Sequence, residues 1–231
     1  MTRILEISVE SAAAAMAAER GGAQRIELCS NTRVGGTTPS AELLREVREQ
    51  VSLPIYSMVR PRGGNFLYSD AEFAEMQRDV DVAKEFGMDG VVLGLLKADG
   101  EIDIERSVRL VQMAGPLPVT FHRAFDECGD LRKSLEDVIA TGAKRLLTSG
   151  GKRTAPEALD ILEELVRIAG ERIVVMLGSG IVAENIREVV RRSGAKEFHA
   201  GLSSAVRNPG EDITEFEEEV RKVAEALRDF D

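Results

Sequence analysis

Short apolar runs recur along the whole chain, and most of them end in polar or charged side chains. Eight such runs begin near residues 4, 25, 54, 90, 118, 145, 172 and 197. The segments between them space their apolar residues as amphipathic helices do, for example after the capping-box pair Ser69 and Glu72. The pattern therefore predicts β-strands that alternate with helices.

Eight strand–helix units in 231 residues are typical of one (β/α)8 TIM barrel, which would span residues 1–231 as a single domain. A doubly wound open sheet is the alternative. The count of eight favours the barrel, and so does the absence of a glycine-rich dinucleotide loop after the first run, where Glu10, Ser11 and Ala12 follow instead. No nucleotide cofactor is predicted.

Composition and charge limit the kinds of molecule that we expect the protein to bind. The net charge of -10 argues against non-specific binding to nucleic acid or to an anionic membrane. No apolar stretch is long enough for a membrane helix, and the N-terminus does not read as a signal peptide. The two cysteines, Cys29 and Cys128, have no zinc-site spacing and cannot form a disulfide framework. We expect a cytoplasmic protein with a small-molecule partner.

Polar residues of the first two runs share one face of their strands. Alternation places Glu6 with Ser8, and Glu27 with Cys29. If this face points into the barrel, two carboxylates lie side by side and repel each other unless cations compensate, for which Arg60 and His122 are available. Glu27 is therefore a candidate catalytic residue. The alternative is an internal salt bridge with an arginine.

Two arginines follow the third run, in the segment from Arg60 to Phe66. The planar guanidinium group suits carboxylate or phosphate, so we predict a catalytic role for Arg60 and anion binding for Arg62. The alternative is a structural arginine pair that clamps neighbouring loops.

The fifth run ends in His122, Arg123 and Asp126, which we predict to be catalytic because all three lie at a strand's C-terminal end. His122 could be a general acid or base, a metal ligand or a buried histidine with a structural partner.

The last two runs end in small residues of the kind that bind phosphate in barrels. Gly178, Ser179 and Gly180 follow the seventh run, and Gly201 and Ser203 follow the eighth. Backbone N–H groups and a helix N-terminus after these strands would bind an anion. The alternative is a tight strand-to-helix turn without a ligand.

Several longer segments make the chain resemble the CutC family, which is named for a role in copper homeostasis. The matching segments are Gly21 to Cys29, Gly35 to Ser40, Arg60 to Phe66, Tyr68 to Asp70, Pro118 to Asp126 and Leu147 to Gly150. The resemblance implies a cytoplasmic TIM barrel, commonly a homo-oligomer, linked to copper tolerance or copper binding. It also implies a copper(I) site with one cysteine near the end of each of the first two strands. Cys29 matches the second position, and Ser8 stands at the first.

Three functions follow as hypotheses. The first is a copper homeostasis protein that binds copper(I) weakly through Cys29, because serine is a poor ligand for this soft ion. The second is an enzyme that acts on a small phosphorylated or carboxylated metabolite. The third is a non-catalytic oligomeric scaffold. The arginines and carboxylates favour the enzyme on chemical grounds.

Overall fold

Eight parallel strands close into a barrel in the computed structural model, which describes residues 3–202 and 213–230. The strands pair in chain order, and β8 pairs with β1 to complete the ring. They are β1 (Ile4–Val9), β2 (Arg25–Leu28), β3 (Ile55–Met58), β4 (Gly90–Leu93), β5 (Val119–Phe121), β6 (Arg145–Thr148), β7 (Val174–Gly178) and β8 (Glu197–Ala200).

Each described strand is followed by a helix, so the predicted (β/α)8 TIM barrel is confirmed. The helices are α1 (Ala12–Gly21), α2 (Ala41–Gln50), α3 (Asp70–Glu85), α4 (Ile104–Ala114), α5 (Leu131–Thr141), α6 (Leu159–Ala169), α7 (Ile186–Ser193) and α8 (Ile213–Arg228). Short 3-10 turns cover Thr32–Val34, Arg123–Glu127 and Ala155–Ala158.

Local sequence explains where several helices begin and end. The side chain of Ser69 accepts a hydrogen bond from the backbone N–H of Glu72, and Glu72 accepts one in return, so the predicted capping box starts α3. Gly142 and Gly194 end α5 and α7 in the left-handed conformation that glycine adopts without a steric penalty.

The interior of the barrel differs from the core outside it. Outward-facing side chains such as Leu5 and Ile7 join the large apolar core that packs against the helices. Inside the barrel, a small separate apolar cluster contains Tyr56, Met58 and Val92 together with Cys29. Much of the remaining interior is charged, and such groups need partners when they are buried.

Among the residues that the structure describes, no helix is both long and apolar enough to cross a membrane.

Candidate functional site

A cavity of about 940 Å³ opens at the C-terminal end of the barrel. It is lined by most of the predicted site residues, namely Glu27, Cys29, Arg60, His122, Arg123, Asp126, Ser179, Gly180 and Gly201. Arg62 and Gly178 do not line it. Ser203 lies outside the described residues.

The histidine of β8 lies against both carboxylates of the first two strands. Nδ1 of His199 is 2.8 Å from Oε1 of Glu6, and Nε2 is 3.8 Å from Oε2 of Glu27. A carboxylate can only accept, so Nδ1–H of His199 donates to Glu6. Arg60 and His122 are the partners that the strand pattern predicts for Glu6 and Glu27, but in the structure His199 contacts both carboxylates.

A second layer of charge lies deeper in the barrel. Arg25 pairs with Glu6 and, at 2.5 Å, with Glu197, and Nε of Arg145 is also 2.5 Å from Glu197. All of these residues are buried. The two arginines are thus the ion-pair partners of Glu6 and Glu197, whereas the ion-pair partner of Glu27 is His199.

This environment gives the carboxyl groups of Glu6 and Glu27 different pKa values. Burial raises the pKa of Glu27 to about 7, and the charge of Glu6 adds to the rise against the opposing effects of His199 and Arg25. Burial would also raise the pKa of Glu6, but the charge of Arg25 and the contact with His199 lower it to about 2. Burial opposes charge on His199, yet the two carboxylates raise its pKa.

Glu27 keeps one oxygen without a partner. Oε1 is fully buried and has no hydrogen bond within residues 3–202 and 213–230, although Glu27 lines the cavity. A buried acceptor left unpaired is costly, and a donor that reached this atom would remove that cost.

Arg60 uses most of its donors within the protein. Nη1 donates to the carbonyl oxygens of Val34 and Gly36, and Nη2 donates to that of Gly64, each at 2.8 Å. The guanidinium carbon also lies 4.7 Å from the centre of the Phe66 ring. These contacts support the alternative in which this arginine clamps neighbouring loops, while its charge still acts at the cavity wall.

Arg62 is directed away from the cavity. Its Nε pairs with Glu72, and its Nη2 donates to the carbonyl oxygen of Leu67 at 2.8 Å. These contacts, like those of Arg60, hold the loop between β3 and α3.

Arg123 and Asp126 organise the turn after β6. Asp126 accepts hydrogen bonds from the hydroxyl groups of Thr148 and Ser149 and from the backbone N–H of Gly151. Nε of Arg123 pairs with Asp126 at 2.8 Å, and its side chain is 41% exposed. Asp126 therefore has a structural set of partners, whereas Arg123 stays accessible to a ligand.

The loop after β7 forms a strained turn. Ser179 has a φ of +73°, and its hydroxyl group donates to the carbonyl oxygen of Arg153 at 2.7 Å. The helix that follows, α7, begins at Ile186. Ser179 and Gly180 themselves line the cavity.

Cys29 is the only cysteine among the described residues that line the cavity, and Met58 is the other sulfur donor there. Burial raises the pKa of this thiol well above its usual range, and the thiol lies 3.7 Å from the carbonyl oxygen of Val9. Copper(I) needs a thiolate and prefers a second soft ligand, but Ser8 offers a hydroxyl group to the same cavity. Cys128 lies after β5, where its thiol contacts the carbonyl oxygen of Ala124.

Glu6, Glu27 and His199 form a group that could hold a metal ion, with one ligand atom from each lying within 4.8 Å of the others. Carboxylate and imidazole donors suit a harder divalent ion better than copper(I). The two histidine nitrogens, however, face different carboxylates, and Glu6 already pairs with Arg25.

Sequence reasoning did not assign His199, Arg25 or Glu197 to the site. The alternation of side chains along β8 could have indicated His199, because β8 pairs with β1 and His199 lies opposite Glu6. The pairing of Arg25 with Glu197 joins residues 172 positions apart, so no local pattern indicates it.

A family model and two relatives that match this chain carry the same family name. The model of the CutC family matches residues 3–204. A human copper homeostasis protein cutC homolog is 47% identical over 201 residues, which cover 87% of this chain and 74% of that protein. A family protein CutC from Chromobacterium violaceum is 48% identical over 89% of this chain and 83% of its own length.

Solved structures agree with the fold. A crystal structure of CutC from Streptococcus agalactiae superposes with a TM-score of 0.82 at 34% identity, covering 87% of this chain and 99% of that one. N-(5'-phosphoribosyl)anthranilate isomerase from Pyrococcus furiosus has a TM-score of 0.63 at 14% identity, with 98% and 99% coverage, and shares the fold alone.

Proposed function

The chain belongs to the CutC family, and we propose that it is an enzyme that moves a proton on a small phosphorylated or carboxylated metabolite bound in the barrel mouth. The observation that carries this proposal is that Glu27 lines the cavity while its buried Oε1 has no hydrogen-bond partner among the described residues. A carboxyl group with a pKa of about 7 is poised to take up and release a proton at neutral pH.

His199 supports Glu27 as a positioning residue. Its Nδ1–H is fixed by Glu6, so Nε2 faces the Glu27 carboxyl group at 3.8 Å. When Glu27 receives a proton from the substrate, the charge of the buried network changes by one unit close to this imidazole. The imidazole can adjust to that change because its own protonation is coupled to that of Glu27.

The rim of the cavity supports the choice of an anionic substrate. Four Arg or Lys side chains and three Asp or Glu side chains line the cavity, although the whole chain has a net charge of -10. Arg33 and Lys152 have no side-chain hydrogen bond or ion pair with the rest of the described chain, and Arg123 is 41% exposed. These cations would bind a phosphate or carboxylate group through charge-assisted hydrogen bonds.

Direct copper(I) binding is the less favoured function for this chain. Relatives carry the name copper homeostasis protein, but Cys29 is a single buried thiol, and Ser8 rather than a second cysteine lines the same cavity. We propose that any copper(I) affinity at Cys29 is weak. A non-catalytic scaffold would not require a buried glutamate oxygen without a partner, so Oε1 of Glu27 argues against this third hypothesis.

Two further proposals concern the setting. The two free cysteines, both buried, suit a reducing cytoplasm. Homo-oligomer formation stays a prediction that rests on the family resemblance.

Hydrogen exchange with solvent tests the proposed function. The protein is incubated in D₂O with a panel of small phosphorylated and carboxylated metabolites, and mass spectrometry follows deuterium incorporation at carbon. We expect incorporation into at least one compound, its loss in Glu27→Gln, and its retention in Glu46→Gln, which changes an exposed carboxylate on α2. Exchange that survives in Glu27→Gln, or no exchange with any compound, would contradict the proposal.

A further inference from the structure

The backbone fixes the tautomer of His122. The backbone N–H of Ala124 donates to Nδ1 of His122 at 3.2 Å, where the chain turns from β5 into the 3-10 turn Arg123–Glu127. An N–H group can only donate, so Nδ1 holds its lone pair there and the proton of a neutral ring is on Nε2.

That Nε2–H has no acceptor. The atom is buried and without a hydrogen bond among the described residues, while His122 itself lines the cavity and is 4% exposed. A buried donor without a partner costs free energy, and a ligand oxygen in the cavity would remove that cost. His122 and Glu27 thus line the same cavity, and each holds one buried polar atom without a partner among the described residues, a donor on His122 and an acceptor on Glu27.

The charges around His122 keep the ring neutral. Burial lowers the pKa of His122 to about 3, and the positive charges of Arg60 and Arg123 add to this effect. Phe66 covers the ring with its centre 4.9 Å away, and no carboxylate contributes to the shift. The ring therefore donates a hydrogen bond without carrying a charge.

The ring is also held firmly in place. A Cβ atom at Gly94, at the end of β4, would lie 2.4 Å from Nδ1 of His122, so only glycine leaves room for the ring. Gly94 and Phe66 both pack against the ring, and the backbone N–H of Ala124 fixes Nδ1, so Nε2–H is preorganised, which is how a donor stabilises charge that develops during a reaction.

We infer that His122 donates from Nε2 to a carbonyl oxygen of the substrate, so the substrate is a small anionic carbonyl compound with a C–H bond next to the carbonyl group. This inference rests on the proposed function and names its substrate class. Glu27 carboxylate takes the proton from that carbon, the C–H electron pair forms a C=C bond, and the carbonyl π pair moves to the oxygen. His122 stabilises the resulting enolate by its hydrogen bond. Glu27 then exchanges its proton with solvent and protonates the same carbon: the C=C pair forms the new C–H bond, an oxygen lone pair restores the carbonyl group, and a solvent hydrogen has replaced the original one.

Nitrogen NMR on the free protein tests the donor directly. The chain contains two histidines, so a ¹⁵N-histidine sample shows two imidazoles, and His122→Gln assigns them. We expect His122 as the neutral Nε2–H tautomer throughout pH 5 to 8. A protonated imidazolium in that range, or the Nδ1–H tautomer, would overturn the inference whatever the enzyme does.

Paired ligands test the substrate class. Dihydroxyacetone phosphate, pyruvate and 2-oxoglutarate are compared with glycerol 3-phosphate, lactate and 2-hydroxyglutarate, which replace the carbonyl group by an alcohol. We expect tighter binding of at least one carbonyl compound than of its alcohol, and loss of that preference in His122→Leu. Equal binding within every pair would overturn the inference.

Solvent exchange separates this inference from the proposed function. We expect His122→Leu to slow deuterium incorporation by about 100-fold or more, the usual effect of removing one such donor. His122→Gln, which keeps an N–H donor, should retain more of the rate. If Glu27→Gln abolishes exchange and His122→Leu does not change it, the proposed function stands and the role of His122 is wrong.

Discussion

Nδ1 of His199 lies 2.8 Å from Oε1 of Glu6, and this contact turns the other ring nitrogen toward Glu27. Glu6 is in turn held by Arg25. Arg25 and Glu6, which lie deeper in the barrel, thus fix the orientation of the His199 imidazole. That orientation determines which ring nitrogen faces the carboxyl group of Glu27.

The first prediction concerns stability as a function of pH. The folded protein holds the Glu27 proton more tightly than the unfolded chain does, because the pKa rises from 4.5 to about 7. The stabilisation from this group is therefore complete below pH 4.5 and is lost as the pH rises to about 7. The shift is equivalent to about 3 kcal/mol, and the raised pKa of His199 acts in the same direction.

Chemical denaturation from pH 5 to pH 8 measures this effect. The free energy of unfolding should fall across that range in the wild type and fall much less in Glu27→Gln. The exposed substitution Glu46→Gln is the control and should reproduce the wild-type slope. Equal slopes in wild type and Glu27→Gln would show that Glu27 ionises normally.

The second prediction concerns the buried ion pairs. Arg25→Met leaves Glu6 without its arginine and Glu197 with Arg145 alone, so we expect a loss of about 3–5 kcal/mol in the free energy of unfolding. Arg20→Met breaks the exposed pair with Glu217, in which the arginine is 52% exposed, and should cost at most about 1 kcal/mol. Urea titrations of both variants decide the matter; similar losses would mean that the interior pairs are no stronger than surface pairs.

The third prediction concerns the space beside His122. Gly94→Ala forces Cβ against the imidazole ring, so we expect a loss of about 1–3 kcal/mol and a changed ¹⁵N spectrum of His122. Gly129→Ala is the matched control, because nothing lies within 4 Å of a Cβ atom there. The melting temperature and the imidazole spectrum are the two measurements, and an unchanged spectrum in Gly94→Ala would argue against the fixed ring.

The fourth prediction concerns copper(I). Ser8→Cys adds a second soft donor to the cavity that Cys29 already lines, so copper(I) affinity should rise above that of the wild type. Competition with a copper(I) chelator measures the affinity, and Ser8→Ala is the control that adds no ligand. Tight binding by the wild type that survives Cys29→Ala would show that other residues bind the ion.

The fifth prediction concerns anion binding. Glycerol 3-phosphate at about 100 times its dissociation constant should stabilise the wild type by about 2.7 kcal/mol, measured as a raised melting temperature. Arg33→Ala should reduce that shift and leave the ligand-free melting temperature unchanged, because this side chain lines the cavity and has no hydrogen bond or ion pair within the described chain.

Arg60→Ala should behave differently from Arg33→Ala. Arg60 holds the backbone carbonyl groups of Val34, Gly36 and Gly64, so its loss should lower the ligand-free melting temperature. An arginine that only bound the ligand would leave the fold intact when it is removed, and the carbonyl contacts argue against that outcome. A stable Arg60→Ala protein that no longer responds to the phosphate ester would show that Arg60 binds the ligand and does not hold the loops.

The strands, the helices and the end of the barrel at which the polar residues collect can all be predicted from the sequence. Strand and helix periods are properties of neighbouring residues, so Glu27 and His122 could be placed at strand ends from their own segments. The β1 start at Ile4 and the β8 start at Glu197 agree with the runs that begin near residues 4 and 197.

The hydrogen-bond partners and the protonation of each polar group are visible in the tertiary structure and cannot be predicted from the sequence. Arg60 finds backbone carbonyl groups, Arg25 finds Glu197 across the barrel, and His199 contacts Glu6 from 193 residues away. Hydrogen-bond partners and protonation depend on which atoms closure of the barrel brings within about 3 Å, and on the water it excludes. No periodicity in the chain encodes those distances, so the unpaired atoms of Glu27 and His122 became visible only in the folded protein.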